Sequence, residues 1–403
     1  MRIGLVCPYS LSVPGGVQGQ VLGLAKALRR RGHEVRVLAP CDGPPPEPGV
    51  TPLGASIPFA TNGSVAPLAP DPSAQLRTMR ALWDEDFDVL HLHEPLVPGV
   101  TNTALVVKPC PMVGTFHASG DFSAYSSWLK PLGSWGVRRL DVRVAVSDDA
   151  RSTAGVWFTD DDMLVLYNAV DTEAFRQVVP TPSDGPSIFF IGRHETRKGL
   201  AVLLEAMKQL PADVTLWVAG TGPLTEELQA ANAGDERIEW LGRISDAERD
   251  ARLAGASVFC APALGGESFG VVLLEGMAAG TPVVASNIPG YNNVATHDRN
   301  ALLAEPEDPT ALAEALTAVL TDDALTARLT EAGHQRANAY SMDRLAAAYE
   351  QLYRDAMART PAADSAADTS EATGASADTS SSSVSPTSDD GADPTGSAAA
   401  TTL

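Results

Sequence analysis

Glu267 and Glu275 stand with seven residues between them inside a glycine-rich stretch, Gly265 to Gly280. A β-branched run ending Val258-Phe259-Cys260 precedes it, and Pro282-Val283-Val284-Ala285 follows. The pattern predicts a strand, a glycine turn, a helix and a second strand. The glycines keep the helix N-terminus clear, so unpaired N–H groups near Ser268, Phe269 and Gly270 can face a ligand. At about 1.5 Å rise per residue, the two carboxylates lie on the order of 10 Å apart. That matches a diphosphate with a sugar at each end. Each carboxylate can accept hydrogen bonds from two neighbouring hydroxyls. The plain alternative is a turn before a buried helix with two solvated acids.

Other clusters suit the same chemistry. Ser187 to Ile191 reads as a strand, followed by Gly192-Arg193-His194-Glu195-Thr196-Arg197-Lys198-Gly199. Cations at a strand-to-helix turn suit a diphosphate, with arginine as a bidentate fork and lysine as a point charge. A solvated basic turn is the alternative. Near the start, Gly15-Gly16 precedes apolar residues at helical spacing, Val17, Val21, Leu24, Ala25 and Leu28. The pair allows close backbone approach to a phosphate or sugar, although a tight turn would use it equally. His91 and His117 fall at the ends of apolar strands, where open α/β sheets bind ligands. His117 at such a place can orient a substrate or handle a proton, and a structural histidine bonded to backbone is the alternative. His91 is read as a structural histidine.

These residues need strands to carry them. Ile3–Cys7, Glu34–Ala39, Asp88–Glu94, Val113–His117 and Val142–Ser147 read as strands of a first unit, with Ser147 or Asp148 capping the next helix. Ser187–Ile191, Val214–Ala219, Ile238–Ile244, Val258–Cys260 and Pro282–Ala285 read as a second. Pro44 to Pro72 reads as loop with short strands and a turn at Asn62-Gly63. The 403 residues suffice for two domains with their own cores.

A net charge of −21 argues against general nucleic-acid binding. A third of it lies beyond Pro361, where seven acids and no Lys or Arg sit among Ala, Ser, Thr, Gly and Pro. Such a segment cannot bury enough apolar area to offset chain entropy and is expected to be disordered. No apolar run reaches the roughly 18–20 residues that span a bilayer. The first residues read as a strand rather than a signal peptide. Cys7, Cys41, Cys110 and Cys260 are scattered singly, as in a reducing cytoplasm.

Taken in order, Pro14-Gly15-Gly16-Val17, Thr115-Phe116-His117, Arg193 with Lys198, and Pro262-Ala263-Leu264-Gly265-Gly266-Glu267 with Glu275 resemble the retaining glycosyltransferases of family 4. The resemblance covers about Met1 to Met357. It implies an α/β GT-B fold, in which two Rossmann-like domains face a cleft and a C-terminal helix crosses back to the first. The expected domains are 1–168 for the acceptor, with the crossing helix 341–358, and 169–340 for the donor, followed by the tail 361–403. It further implies that Arg193 and Lys198 hold the diphosphate, Glu267 and His117 orient the transferred sugar, and Glu275 meets the ribose. Gly15, Gly16, Ser268, Phe269 and Gly270 complete the donor site. No metal is required, with Mg2+ as an optional stimulant.

Within the family, Met1 to Ser10, Val13 to Gln18, Asn62-Gly63-Ser64-Val65 and His91-Leu92-His93-Glu94-Pro95 resemble the bacterial enzymes that mannosylate phosphatidyl-myo-inositol. This implies GDP-mannose as donor, phosphatidylinositol at the membrane surface as acceptor, and a cytoplasmic protein peripheral to the inner face of the plasma membrane. Tyr9, Gln18, Asn62 and Arg197 would line the acceptor side. Three features depart from the pattern: Ala118 stands for a threonine, Ala169 for a glycine, and Ser73 to Trp83 carries only Arg77 and Arg80 where relatives have a basic cluster. Another nucleotide sugar or a soluble acceptor, a sugar-nucleotide epimerase, and a non-catalytic nucleotide-binding module are the other readings.

Overall fold

The computed structural model describes residues 1–61, 64–118, 131, 133–157, 163–267 and 269–359. Asn62, Ser268 and the tail 361–403 lie outside the described residues. The chain forms two parallel sheets, each covered by helices, and one antiparallel hairpin.

The first sheet is built from β1 (Arg2–Val6), β2 (Glu34–Ala39), β3 (Val50–Pro52), β6 (Val89–His93), β7 (Met112–Phe116), β8 (Val142–Ala145) and β9 (Met163–Val165). Its order is β3-β2-β1-β6-β7-β8-β9. β4 (Ile57–Thr61) and β5 (Ser64–Leu68) make the hairpin. Every residue of β6 and β7 is buried, because parallel strands are covered on both faces. The second sheet comprises β10 (Ser187–Ile191), β11 (Thr215–Ala219), β12 (Ile238–Gly242), β13 (Val258–Ala261), β14 (Val283–Ser286) and β15 (Leu302–Ala304). Its order is β12-β11-β10-β13-β14-β15.

In each sheet the strand order reverses once, between β1 and β6 and between β10 and β13. Crevices open beyond the strand ends at such reversals. The loops placed there are those that carry Tyr9 to Gly15, Glu94 to Pro98, Gly192 to Gly199 and Pro262 to Glu267. The two sheets face a cleft in the GT-B arrangement.

The last helix, Met342–Arg359, ties the chain's end to its beginning. Its buried face, Met342, Ala346, Tyr349, Tyr353 and Ala356, enters the first core with Ile3, Leu5, Leu24 and Val113. It packs on the helix Gly16–Arg30, where Gly23 leaves room for the Met342 side chain. Arg31 pairs with Glu350 at 2.6 Å, and Arg30 with Asp343 at 3.0 Å. The segment entering the second sheet is anchored on the same first helix: the Ala169 N–H donates to Gln20 Oε1 at 3.0 Å, and Gln20 Nε2 donates to the Ala169 carbonyl at 2.8 Å. Ala169 is not among the residues with positive φ. Alanine therefore fits here without strain.

Candidate active site

Strand β10 ends at Ile191, and its following turn folds over the turn that follows β13. Lys198 Nζ donates to Glu267 Oε1 at 2.5 Å. Arg197 Nη1 donates to the same oxygen at 3.2 Å and to the Gly266 carbonyl at 3.5 Å. Arg197 Nε also pairs with Glu195 at 2.7 Å, and Arg193 Nε lies 3.5 Å from the other oxygen of Glu195. One carboxylate thus gathers two cations, while Arg193 stays half-exposed and is not on the wall of the cavity that Lys198 and Glu267 line. The turn holding Glu267 is fixed from behind by Gly290, where a Cβ would fall 1.7 Å from the Glu267 carbonyl oxygen.

A cavity of about 230 Å3 opens here, with Gly16, Asn168, Lys198, Glu267, Gly270 and Tyr291 on its wall. Gly16 reaches it from the facing half of the molecule. A Cβ there would meet no atom within 4 Å, so the bare backbone faces open space. Gly270, at φ 89°, caps the helix Val271–Ala278, and Phe269 is buried against Tyr167 with ring centroids 5.1 Å apart. Phe269 lines the cavity while packing the two halves together. Glu275 is not on this wall. Burial pushes its carboxyl up, and Arg249, 3.9 Å away, opposes that shift.

The histidines form a second cluster, beneath the end of β6. His91 is fully buried: Nδ1 shares a hydrogen bond with the Tyr353 hydroxyl at 2.8 Å, and Nε2 shares one with Thr115 Oγ1 at 2.7 Å. Thr115 Oγ1 also bonds the Tyr349 hydroxyl at 2.8 Å. The structural reading of His91 therefore holds. His93 stacks on His91 at 4.2 Å and bonds His117 Nε2 through Nδ1 at 2.9 Å. Burial pushes His117 down to about 3, so it is neutral at physiological pH. That favours orienting a substrate hydroxyl over proton handling.

A larger cavity of about 900 Å3 lies beside the glycine loop. Tyr9, Gly15, Gly16, Gln18 and Glu94 supply its polar wall, and Trp157 is among its apolar residues. Gln18 also braces the loop, donating to the carbonyls of Val13 at 3.1 Å and Ser10 at 3.4 Å. Arg197, expected on the acceptor side, is not on this wall and sits in the Glu267 cluster. Sequence reasoning missed Glu94, Tyr291, Tyr349 and Tyr353. Only Glu94 left a signal, as a polar residue ending an apolar strand. The tyrosines look like ordinary core residues until the crossing helix is in place. Among the described residues, no group of three or more His, Cys, Asp or Glu could hold a metal ion, and no helix is long and apolar enough to cross a membrane. All four cysteines are free.

Comparison with known proteins gives consistent results. Residues 14–174 match the family model described as Glycosyltransferase Family 4, and residues 171–336 match that of Glycosyl transferases group 1. The chain is 41% identical over 371 residues to a phosphatidyl-myo-inositol mannosyltransferase of Mycobacterium leprae (strain TN), covering 88% of this chain and 96% of that protein. It is 38% identical to the protein of the same description from Mycolicibacterium smegmatis (strain ATCC 700084 / mc(2)155), covering 88% and 93%. Among solved structures, the sucrose-phosphate synthase of Thermosynechococcus elongatus superimposes with a TM-score of 0.67 at 20% identity, covering 89% of this chain and 100% of that one. That likeness supports the fold.

Proposed function

We propose that this chain, which belongs to glycosyltransferase family 4, transfers an α-mannosyl group from GDP-mannose to the inositol ring of phosphatidylinositol with retention of configuration. The observation that carries the reading is the sharing of Gly16 by two cavities, one lined by Lys198 and Glu267 and the other by Tyr9, Gln18 and apolar side chains. A donor in the first would present its sugar to an acceptor in the second across a bare stretch of backbone. The similarity to phosphatidyl-myo-inositol mannosyltransferases supports the choice of mannose and of a lipid acceptor.

In this reading residues 1–168 serve the acceptor and 169–340 the donor. Arg193, Lys198 and the N-terminus of the helix Val271–Ala278 stabilise the negative charge that grows on the leaving diphosphate. Glu267 and neutral His117 hold the sugar hydroxyls, and Glu275 takes the ribose. The acceptor hydroxyl attacks from the face the diphosphate leaves, and its proton passes to the leaving phosphate. Leu76 and Trp83 on the helix Pro72–Asp84 are 65% and 67% exposed. They support peripheral contact with the inner face of the plasma membrane, in place of the basic cluster that the family resemblance implies.

Calorimetric titration tests the donor half. GDP should bind more tightly than UDP, and Arg193→Ala should weaken GDP by about tenfold or more, the worth of a charge-assisted hydrogen bond. Tighter binding of UDP, or an Arg193→Ala protein with unaltered GDP affinity, would contradict it.

A further inference from the structure

Glu94 directly follows strand β6 on the wall of the larger cavity, and no donor-side role uses it. Its side chain is extensively buried, with 7% of the residue exposed. Its backbone is held at φ 50°, a left-handed conformation that glutamate adopts only when its surroundings impose it. Oε1 accepts the N–H groups of His117 at 2.6 Å and Ala118 at 2.5 Å. Those two bonds fix the carboxylate's position. Among the described residues Oε2 has no hydrogen-bond partner, and the side chain shares the cavity wall with Tyr9 and Gln18.

A carboxylate kept only to satisfy two N–H groups has no need of a second oxygen turned to a cavity. Oε2 is not among the buried atoms that lack a partner, so this unpaired oxygen is accessible and can accept from a donor group in the cavity. A sugar or polyol hydroxyl is such a donor. We propose that Glu94 is an acceptor-binding residue, whose Oε2 accepts the hydrogen bond of a hydroxyl on the acceptor polyol. This rests on the function proposed above and adds the group that holds the acceptor ring on the side away from the diphosphate. The same bonds to His117 and Ala118 tie the acceptor's anchor to the strand end that carries the sugar-orienting histidine.

The state of Glu94 makes the role pH-dependent. Burial pushes its carboxyl up to about 7, against the pull of the two N–H bonds. The titratable groups around it are Tyr9 on the first loop, His117 after β7, and His93 beside it on its own strand. Burial holds the histidines neutral and raises the tyrosine, so none of them competes in this range. Protonation of Glu94 places the proton on Oε2, which then donates where it should accept. Acceptor affinity therefore weakens as pH falls through about 7.

Glu94→Gln tests this, because glutamine keeps an oxygen for both N–H groups and puts an amide NH2 at the Oε2 position. With GDP-mannose and phosphatidylinositol vesicles near pH 8, the variant should show an acceptor KM raised about tenfold or more, with GDP affinity unchanged. The wild-type acceptor KM should rise as pH is lowered from about 8 to about 6, and the variant's should not. A wild-type KM independent of pH, or a Glu94→Gln protein with wild-type KM, would overturn the proposal. The first of these needs no variant and so does not depend on how Glu94→Gln folds. Absence of mannolipid from the wild-type protein would count against the function reading instead. In that event, calorimetric binding of myo-inositol 1-phosphate to the GDP-bound wild-type and Glu94→Gln proteins reads Glu94 directly: weaker binding by the variant supports its role, and equal binding overturns it.

Discussion

Glu267 receives Lys198 and Arg197 on a single oxygen, so Lys198, proposed above for the diphosphate, is partly neutralised before any donor arrives. This sets opposite expectations for binding and turnover. Glu267→Gln keeps the side chain's shape but releases both cations. GDP affinity should stay the same or improve, while transfer should fall about a hundredfold or more as the sugar loses its carboxylate. Single-turnover kinetics with a parallel GDP titration separates the two, and an unchanged transfer rate would remove Glu267 from the site. His117 shows the same division between presence and chemistry. Its place after β7 was legible from the pattern Val113 to His117, but its neutrality was not. That follows from burial beside His93, a contact between two strands that sequence spacing does not reveal.

At the scale of elements, the crossing helix Met342–Arg359 is part of the first domain's interior. Tyr353 gives His91 one of its two partners, and Tyr349 gives Thr115 another. Tyr353→Phe removes one hydroxyl and leaves a buried imidazole nitrogen unpaired. It should cost about 1–3 kcal/mol, read as a lower denaturant midpoint with unchanged slope. An unchanged midpoint would mean that the hydroxyl contributes nothing to holding the helix. The longer strands of both sheets were legible because buried parallel strands are continuous apolar runs ending at glycine or polar residues, whereas β9 and β15, three residues each, carry too short a pattern. Their order was not, and order is what brings the loop after β1 beside that after β6. Arg197 shows what the fold adds: the family resemblance implies the acceptor side, and the three-residue helical turn Thr196–Lys198 sets the side chain beside Glu267 and Glu195.

For the whole molecule, four histidines held neutral by their surroundings, His91, His93, His117 and His194, set the response to acid. His91 and His117 are pushed down to about 3, and His93 is held well below its usual value. In the unfolded chain each takes a proton below about 6.5, so between about 3 and 6.5 the unfolded state binds more protons. Their contribution is present above that window and is lost as pH falls through it. Glu94 acts oppositely, since its folded value of about 7 lies above that of an unfolded carboxyl, and burial raises the Glu275 and Asp250 carboxyls in the same sense. Four depressed imidazoles outnumber these three carboxyls, so urea denaturation should show stability falling from about pH 6.5 to about pH 5. Stability constant or rising on acidification would show that the histidines are not buried neutral. The central claim is tested most directly by one transfer assay: purified protein, radiolabelled GDP-mannose, and vesicles with or without phosphatidylinositol. The account predicts labelled mannolipid only when phosphatidylinositol is present, with the new linkage α. No label in lipid, label in lipid with UDP-sugars in preference to GDP-mannose, or a β linkage would contradict it.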